Sequence, residues 1–288
     1  MSRRTLNIIG ILILMGITAA VSVTAYIFMV GGSGEASAPI TAPTLDLSTP
    51  TPNAAETQVA VLSTQVADLQ ATIAAQASQP EATEAAPVEP TALPPTEEPT
   101  VVAEAAAAPS VYAIQQDGST VTFTLTEDLR GQFTTVIGTT DQIAGEILVD
   151  FANPANSRIG QIRINARTLA TDNEFRNRAI RGEILQSSQA EYEFIDFTPT
   201  ALNGLPASIA IGEAVTFQIV GDLKIRNITQ SVTFDVTATA VSEDRLEGTA
   251  TTVVTRAQFD LQIPNVPSVT NVSDEVTLQI NFVAAKSA

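Results

Sequence analysis

From residue 110 onward, apolar and polar residues alternate along the chain in runs that turn-forming residues separate. In residues 120–125, for example, Val121, Phe123 and Leu125 alternate with threonines. Successive side chains of a β-strand point to opposite faces, so this period of two predicts strands with one apolar and one polar face. Further runs with the same alternation are residues 162–167, 215–225, 232–240 and 276–282.

Residues 171–185 interrupt this pattern, because their apolar positions lose the period of two. They begin with Thr171 and, three residues later, Glu174, which is the spacing of a helix capping box. The sequence therefore predicts an all-β domain with one short helix over residues 110–288. A sheet of this size curls, and closure into a barrel leaves no exposed edge strand. An eight-stranded barrel can be filled by side chains or hold one small ligand, but alternation alone does not separate a barrel from a β-sandwich.

The N-terminal 30 residues have a different pattern. Residues 6–30 carry no charge, and Arg3 and Arg4 precede them. A helix of this length extends about 37 Å, which is enough to span a bilayer. The sequence thus predicts a transmembrane signal-anchor over residues 1–30, with the rest of the chain outside the cytoplasm. A cleaved signal peptide is the alternative, although its apolar core is usually shorter.

Residues 31–109 are rich in Thr, Pro, Ala and Glu and contain no basic residue. Such a composition buries too little apolar surface to fold, so it predicts a disordered stalk. Within the stalk, residues 55–79 have a heptad pattern formed by Val59, Leu62, Val66, Leu69 and Ile73. This pattern is typical of a parallel coiled-coil dimer. Its short length fits equally well with a transient helix.

The composition limits the chemistry that the chain can perform. It contains no Cys and no His, so the commonest metal ligands and the commonest general base are missing. The net charge is −17, and no basic cluster marks a nucleic-acid surface. We therefore expect a protein without catalytic residues, metal or cofactor, and without a nucleic-acid partner. Catalysis by carboxylates alone is the one enzymatic alternative.

Several segments of the C-terminal domain form, by their order and spacing, a more specific pattern. They are Tyr112-Ala113-Ile114, Gly145-Glu146-Ile147-Leu148-Val149-Asp150-Phe151, Thr168-Leu169-Ala170-Thr171-Asp172-Asn173 with Arg176, Gly221-Asp222-Leu223-Lys224-Ile225-Arg226-Asn227-Ile228-Thr229, and Arg256-Ala257-Gln258-Phe259. With them, residues 111–287 resemble the YceI-like, polyisoprenoid-binding family. The resemblance implies a lipocalin-like antiparallel barrel outside the cytoplasm, with an elongated apolar cavity for an isoprenoid chain. Asn177 and Asn227 depart from the family pattern.

Candidate ligand-binding residues follow from the apolar faces and from this resemblance. The candidates for the apolar lining are Phe123, Phe151, Ile164, Phe194, Phe217, Phe234 and Phe259. Each could equally pack a filled core. An arginine fork suits a phosphate or pyrophosphate group, and the headgroup candidates are Arg167, Arg176, Arg178 and Arg181. The alternative for these arginines is ion pairing with neighbouring carboxylates.

Together these features predict a single-pass membrane protein whose extracytoplasmic barrel binds or carries an isoprenoid or a similar long-chain amphiphile. The bilayer and the lipid are the expected partners, and residues 55–79 are a candidate site for a parallel dimer. The alternative is a filled barrel that serves as a structural or protein-interaction module of the cell envelope.

Overall fold

The structure is a computed structural model that describes residues 15, 21–22, 25–46, 108–266 and 268–287. The strands are β1 Ser110–Leu129, β2 Gln132–Thr140, β3 Ile143–Ala144, β4 Glu146–Val149, β5 Arg158–Ile159, β6 Ile162–Asn165, β7 Phe194–Asn203, β8 Ala214–Ile225, β9 Ile228–Ser242, β10 Arg245–Thr255, β11 Val269–Thr270 and β12 Glu275–Lys286. The helical elements after residue 108 are α1 Glu174–Ala179, the π-helical turn Ile180–Ile184 that continues α1, and the 3₁₀ turns Pro154–Asn156, Ala166–Thr168, Ala190–Tyr192 and Ala257–Phe259.

The strands form one curled antiparallel sheet in the order β3-β6-β7-β8-β9-β10-β12-β1-β4-β5, with β2 and β11 also paired to β1. Because β2 pairs with β1 and β3 pairs with β6, residues 132–144 connect the two sides of the curl. The all-β, lipocalin-like prediction is confirmed. The predicted number of eight strands is wrong, since the described residues form 12. The excess arises where the chain bends: β1 is bulged between Gln115 and Thr120 and pairs with β4 before the bulge and with β2 after it.

The predicted helix is present, but it begins later than the sequence suggested. Asn173 is the N-cap, because its side-chain oxygen accepts a hydrogen bond from the amide of Arg176. The hydroxyl of Thr171 instead donates to the side chain of Asn177, 2.7 Å away. Thr171 therefore orders the approach to the helix and does not cap it.

The apolar faces of the strands meet in a large core inside the curl, and a smaller cluster forms around Tyr112, Val149, Ala240, Leu246 and Ala284. Near the centre of the large core, the rings of Phe197 and Phe234 pack edge to face with their centroids 5.0 Å apart. Gly221 of β8 lies directly beneath Phe197, and Gly248 of β10 lies beneath Phe282. At both positions, the absence of a side chain leaves room for an aromatic ring from the neighbouring strand. The two glycines therefore do not create empty space in the core.

Outside the barrel, residues 25–30 are helical and residues 31–46 follow without regular structure. The predicted membrane-spanning run and the predicted heptad segment lie largely or wholly outside the described residues. Within the part of the chain that the structure describes, no helix has both the length and the apolar character needed to cross a membrane. The predicted boundaries at residues 30 and 109 stay predictions.

Candidate ligand cavities

The interior of the barrel contains two separate apolar cavities, one towards each end. We call the end that carries α1, the β1–β2 turn, the β8–β9 turn and residues 256–273 the helix end, and the opposite end the far end. The helix-end cavity has a volume of about 640 Å³, whereas the far-end cavity has about 110 Å³. Pockets that bury small ligands measure roughly 300–1,000 Å³. Of these two cavities, only the one at the helix end is large enough for such a ligand.

Three parts of the fold build the helix-end cavity. The sheet contributes the inward side chains of β1, β10 and β12, namely Phe123, Leu125, Val254, Val276 and Leu278. The helix contributes Phe175, Ala179, Ile180 and Ile184. The loop after the last 3₁₀ turn contributes Leu261, Ile263, Pro264 and Val266. Most of the cavity wall is therefore apolar, with polar side chains such as Glu127, Gln132 and Arg176 also on its lining, and the cavity suits a hydrocarbon chain.

One arginine fixes the loop that forms the third wall. The guanidinium of Arg256 donates hydrogen bonds to the carbonyl oxygens of Ser273 at 2.8 Å, Val272 at 3.1 Å and Leu261 at 3.3 Å. It thus joins the beginning and the end of the loop. The amide of Arg130, at the β1–β2 turn, donates to the carbonyl of Ser268 in the same loop. Sequence reasoning missed this wall, since the loop lacks any strand or helix period; its only signal was an apolar run punctuated by Pro264.

The rim of the helix-end cavity carries a buried ion pair. A guanidinium nitrogen of Arg176 lies 2.8 Å from a carboxylate oxygen of Glu127, whose side chain is 7% exposed. The other terminal nitrogen of Arg176 lies 2.6 Å from Asp172, which is exposed to solvent. A charged group that entered the rim would therefore meet an arginine that already has two carboxylate partners.

The far-end cavity is lined by apolar side chains from β4, β8, β9 and the β7–β8 connection. Its lining includes Val149, Phe151, Leu205, Ile209, Phe217, Phe234 and Ala238. At about 110 Å³ it has room for a few water-sized groups. Much of this end of the barrel is consequently filled by side chains.

The predicted lining residues divide between the two ends. Phe123 lines the helix-end cavity, whereas Phe151, Phe217 and Phe234 line the far-end cavity. Ile164 and Phe259 are buried in the core and line neither cavity.

Phe194 also lines neither cavity. Its ring lies 5.0 Å from the guanidinium carbon of Arg163, which pairs with Asp196 at 2.7 Å. Hydrogen bonding to Asp196 raises the pKa of Arg163 further above its ordinary value. Phe194 therefore supports an ion pair on the sheet.

The predicted headgroup arginines also divide. Only Arg176 reaches the helix-end cavity among the four. Arg167 pairs with Glu193 at 3.2 Å and donates to the carbonyl of Ser187 at 2.8 Å. Arg178 and Arg181 both pair with Glu174, at 3.1 and 3.0 Å. These three arginines already have the ion pairs that the sequence offered as the alternative.

Three described carboxylates, Glu193, Glu174 and Asp150, have a lowered pKa, so their surroundings stabilise the charged form. Burial alone would raise the pKa of Glu193, but hydrogen bonds from Ser37 and Asn165 and the charge of Arg167 lower it overall. At Glu174, the hydrogen bond from Asn177 and the charge of Arg181 likewise outweigh burial and lower the pKa. Hydrogen bonds from Asn156 and Asn153 lower the pKa of Asp150. A general acid would need the opposite shift.

At the far end, burial raises the pKa of Tyr112, and the charges of Asp244 and Glu243 raise it further. Its hydroxyl donates a 2.6 Å hydrogen bond to the carbonyl of Glu243.

Among the described residues, no group of Asp and Glu side chains has the arrangement of a metal site.

We compared the chain with known protein families, curated proteins and solved structures. The family model of the YceI-like domain matches residues 112–284. Among curated proteins, none matches the chain. A solved polyisoprenoid-binding domain from Saccharophagus degradans, implicated in plant cell wall breakdown, is 15% identical over 61% of this chain and 98% of its own, with a TM-score of 0.49. BcnA of Burkholderia cenocepacia is 18% identical over 60% and 99%, with a TM-score of 0.47. The YCEI protein of Campylobacter jejuni is 15% identical over 52% and 84%, with a TM-score of 0.42.

Proposed function

This chain belongs to the YceI-like domain family, and from that membership we propose that it binds an isoprenoid or similar long-chain amphiphilic lipid in the helix-end cavity. It acts by equilibrium binding, without a covalent step. The observation that carries the proposal is the apolar helix-end cavity of about 640 Å³. Burying about ten methylene groups there contributes about 8 kcal/mol before the costs of association are subtracted. That is enough for reversible carriage of a lipid chain.

We further propose that residues 6–30 anchor the protein in the membrane and that the barrel lies on the extracytoplasmic side. The uncharged run and the two arginines before it support this orientation. An anchored barrel stays within reach of the bilayer in which its ligand dissolves. The protein would then buffer or carry a lipid near the outer face of the membrane.

Two matched variants test which cavity binds the ligand. Ala179 of α1 lines the helix-end cavity, and Ala238 of β9 lines the far-end cavity. The full chain is purified in mild detergent, incubated with a long-chain isoprenoid alcohol, and analysed by native mass spectrometry with solvent extraction. We expect Ala179→Phe to abolish stoichiometric uptake, because the new ring occupies the chain's volume, and Ala238→Phe to retain it.

Circular dichroism establishes that both variants remain folded. Retention of uptake in a folded Ala179→Phe variant, together with its loss in Ala238→Phe, would move the site to the far end. The absence of uptake by the unmodified protein would refute lipid carriage. The filled far end would then favour the alternative, a structural or protein-interaction module of the envelope.

A further inference from the structure

Residues 25–31, the end of the predicted anchor, are docked against the helix of the barrel. Ile27 is 1% exposed, and the ring of Phe28 lies 6.4 Å from that of Phe175. The guanidinium carbon of Arg178 also lies 4.4 Å from the centre of the Phe28 ring. Apolar packing and a cation–π contact thus hold the segment on α1.

Side chains of the barrel also donate hydrogen bonds to backbone carbonyl groups of the segment. Nε of Arg181 donates to the carbonyl of Gly31 at 2.8 Å, and the hydroxyl of Ser188 donates to the carbonyl of Val30 at 2.7 Å. Arg181 is almost fully buried, with a side chain that is 4% exposed. This arginine, a headgroup candidate from the sequence, therefore serves as an attachment point for the chain after the anchor.

The docking depends on two glycines, Gly31 of the segment and Gly182 of the barrel. A Cβ atom on Gly182 would lie 2.7 Å from a methyl carbon of Val30 and 3.1 Å from the amide nitrogen of Gly31. A side chain on Gly31 would meet the backbone of Arg178. Neither contact leaves space for a side chain, so the close approach requires glycine at both positions.

Residues 37–45 continue the attachment along the outside of the barrel. The amide and hydroxyl of Ser37 donate to the two carboxylate oxygens of Glu193, at 2.9 and 2.6 Å. Ile40 is buried, and the amide of Leu45 donates to Glu146 of β4 at 2.7 Å. Residues 25–46 therefore form a strap, which runs from the helix end to β4.

The strap changes the role of the acidic segment that follows it. The strap ends beside Glu146 of β4, and Ser110, the first residue of β1, pairs with Val149 of the same strand. The described residues on either side of positions 47–107 thus lie beside one strand. They lie after the docked segment in the chain and so do not separate the anchor from the barrel.

The helix that receives the strap also forms a wall of the helix-end cavity. Phe175 touches Phe28 and lines the cavity. At the same end, Phe133 beside the β1–β2 turn is 75% exposed, and its neighbours Gln132 and Thr134 line the cavity. Tyr26 and Met29, 55% and 84% exposed, add large apolar side chains beside this helix. Large exposed apolar side chains at one pole mark a surface that contacts lipid or another protein.

We propose that the helix end of the barrel rests directly on the outer surface of the bilayer, which holds the part of the predicted anchor before residue 25, so that the mouth of the helix-end cavity faces lipid. The occupant of this surface is the bilayer itself, since the apolar run continues from the segment docked beside the mouth. This inference rests on the proposed function. A cavity that opens on the membrane exchanges its ligand directly with the bilayer, so the ligand does not pass through water.

The absence of Cys from the chain permits background-free labelling at single positions. We would introduce Gln132→Cys at the helix end and Glu243→Cys at the far end, each in the full chain. The labelled proteins are reconstituted into phosphatidylcholine vesicles, of which a matched set contains nitroxide-labelled lipid. We expect the fluorophore at position 132 to be quenched by the nitroxide lipid and the fluorophore at position 243 to be unaffected.

Gly182→Leu then tests the strap, because its side chain displaces Val30 and Gly31. We expect quenching at position 132 to be lost in this variant. The matched control is Glu183→Leu, whose position faces a polar pocket with Arg226 and Asp260 and which should leave quenching intact. Equal quenching at both ends, no quenching at position 132, or quenching that survives Gly182→Leu would overturn the inference.

Lipid uptake, measured on the unlabelled protein in detergent by native mass spectrometry, separates this inference from the proposed function. Quenching at position 132 without any bound lipid would refute the proposed function and leave membrane docking in place. Bound lipid without quenching at position 132 would refute docking alone.

Discussion

Replacing Arg176 by Met tests whether the rim of the helix-end cavity is a structural ion pair or a headgroup site. In the described chain, Glu127 has no other cation within ion-pair distance. The side chains of Glu127 and Arg176 are 7% and 16% exposed. Arg176→Met therefore leaves a nearly buried carboxylate without its partner.

The expected cost follows from that burial. Removing one partner of a buried ion pair destabilises a protein by about 3–5 kcal/mol, because the remaining charge is desolvated and unpaired. Arg176 retains some contact with water, and its second partner Asp172 is 86% exposed, so we expect a cost near 3 kcal/mol. The double variant Glu127→Leu/Arg176→Met replaces both charges by apolar groups and should lie within about 1 kcal/mol of the unmodified protein.

Urea unfolding of the full chain in detergent, followed by circular dichroism, measures these free energies. If Arg176→Met costs less than about 1 kcal/mol, or if the double variant is no more stable than the single one, the pair is not a buried unit. The double variant should still take up an isoprenoid alcohol. A selective loss of the isoprenoid phosphate would assign Arg176 to the headgroup, whereas equal uptake of both would make the pair purely structural.

Two further predictions concern the core and the strap. Gly221→Ala places a Cβ atom 2.6 Å from both the ring of Phe197 and the carbonyl oxygen of Thr198; we expect urea unfolding to show a loss of about 1–3 kcal/mol, and a neutral result would mean that the ring moves freely. The pKa of Glu193 is lowered from its ordinary value of 4.5, so its contribution to stability is complete above 4.5 and is lost as the pH falls through the lower folded value. Urea unfolding of the unmodified protein between pH 7 and pH 3 should therefore show a larger loss of stability than the Glu193→Gln variant shows, and identical profiles would contradict this role.

The alternation of side chains predicted most of the fold, because the period of a strand is a local property. The runs around Phe123, Phe217 and Phe234 all correspond to strands with the predicted inward face. The helix was also predicted, but its cap was misassigned. Thr171 and Asn173 can both accept a hydrogen bond from a helix amide, and only the path of the chain decides between them.

The position of the larger cavity could not be predicted from the sequence, because periodicity indicates which face is inside and not where that interior is empty. Each phenylalanine was a candidate for a cavity wall or for a filled core, and large rings mostly fill the space around them. Phe217 and Phe234 crowd the far end and leave a cavity of about 110 Å³. At the helix end, Ala179 and the branched side chains of the loop stand opposite the sheet, and about 640 Å³ remains. Small residues on a helix that closes the barrel would have been the better signal.

The attachment of the strap to the barrel could not be predicted from the sequence for a related reason. Arg178 and Arg181 were candidates for a lipid headgroup, with ion pairing to neighbouring carboxylates as the alternative. In the structure they bind the ring of Phe28 and the carbonyl of Gly31, which are about 150 residues away in the chain. Because the helix both attaches the strap and lines the cavity, any force that shifts the strap relative to the barrel acts on the cavity wall. Ligand exchange and membrane attachment are then expected to be coupled through this helix.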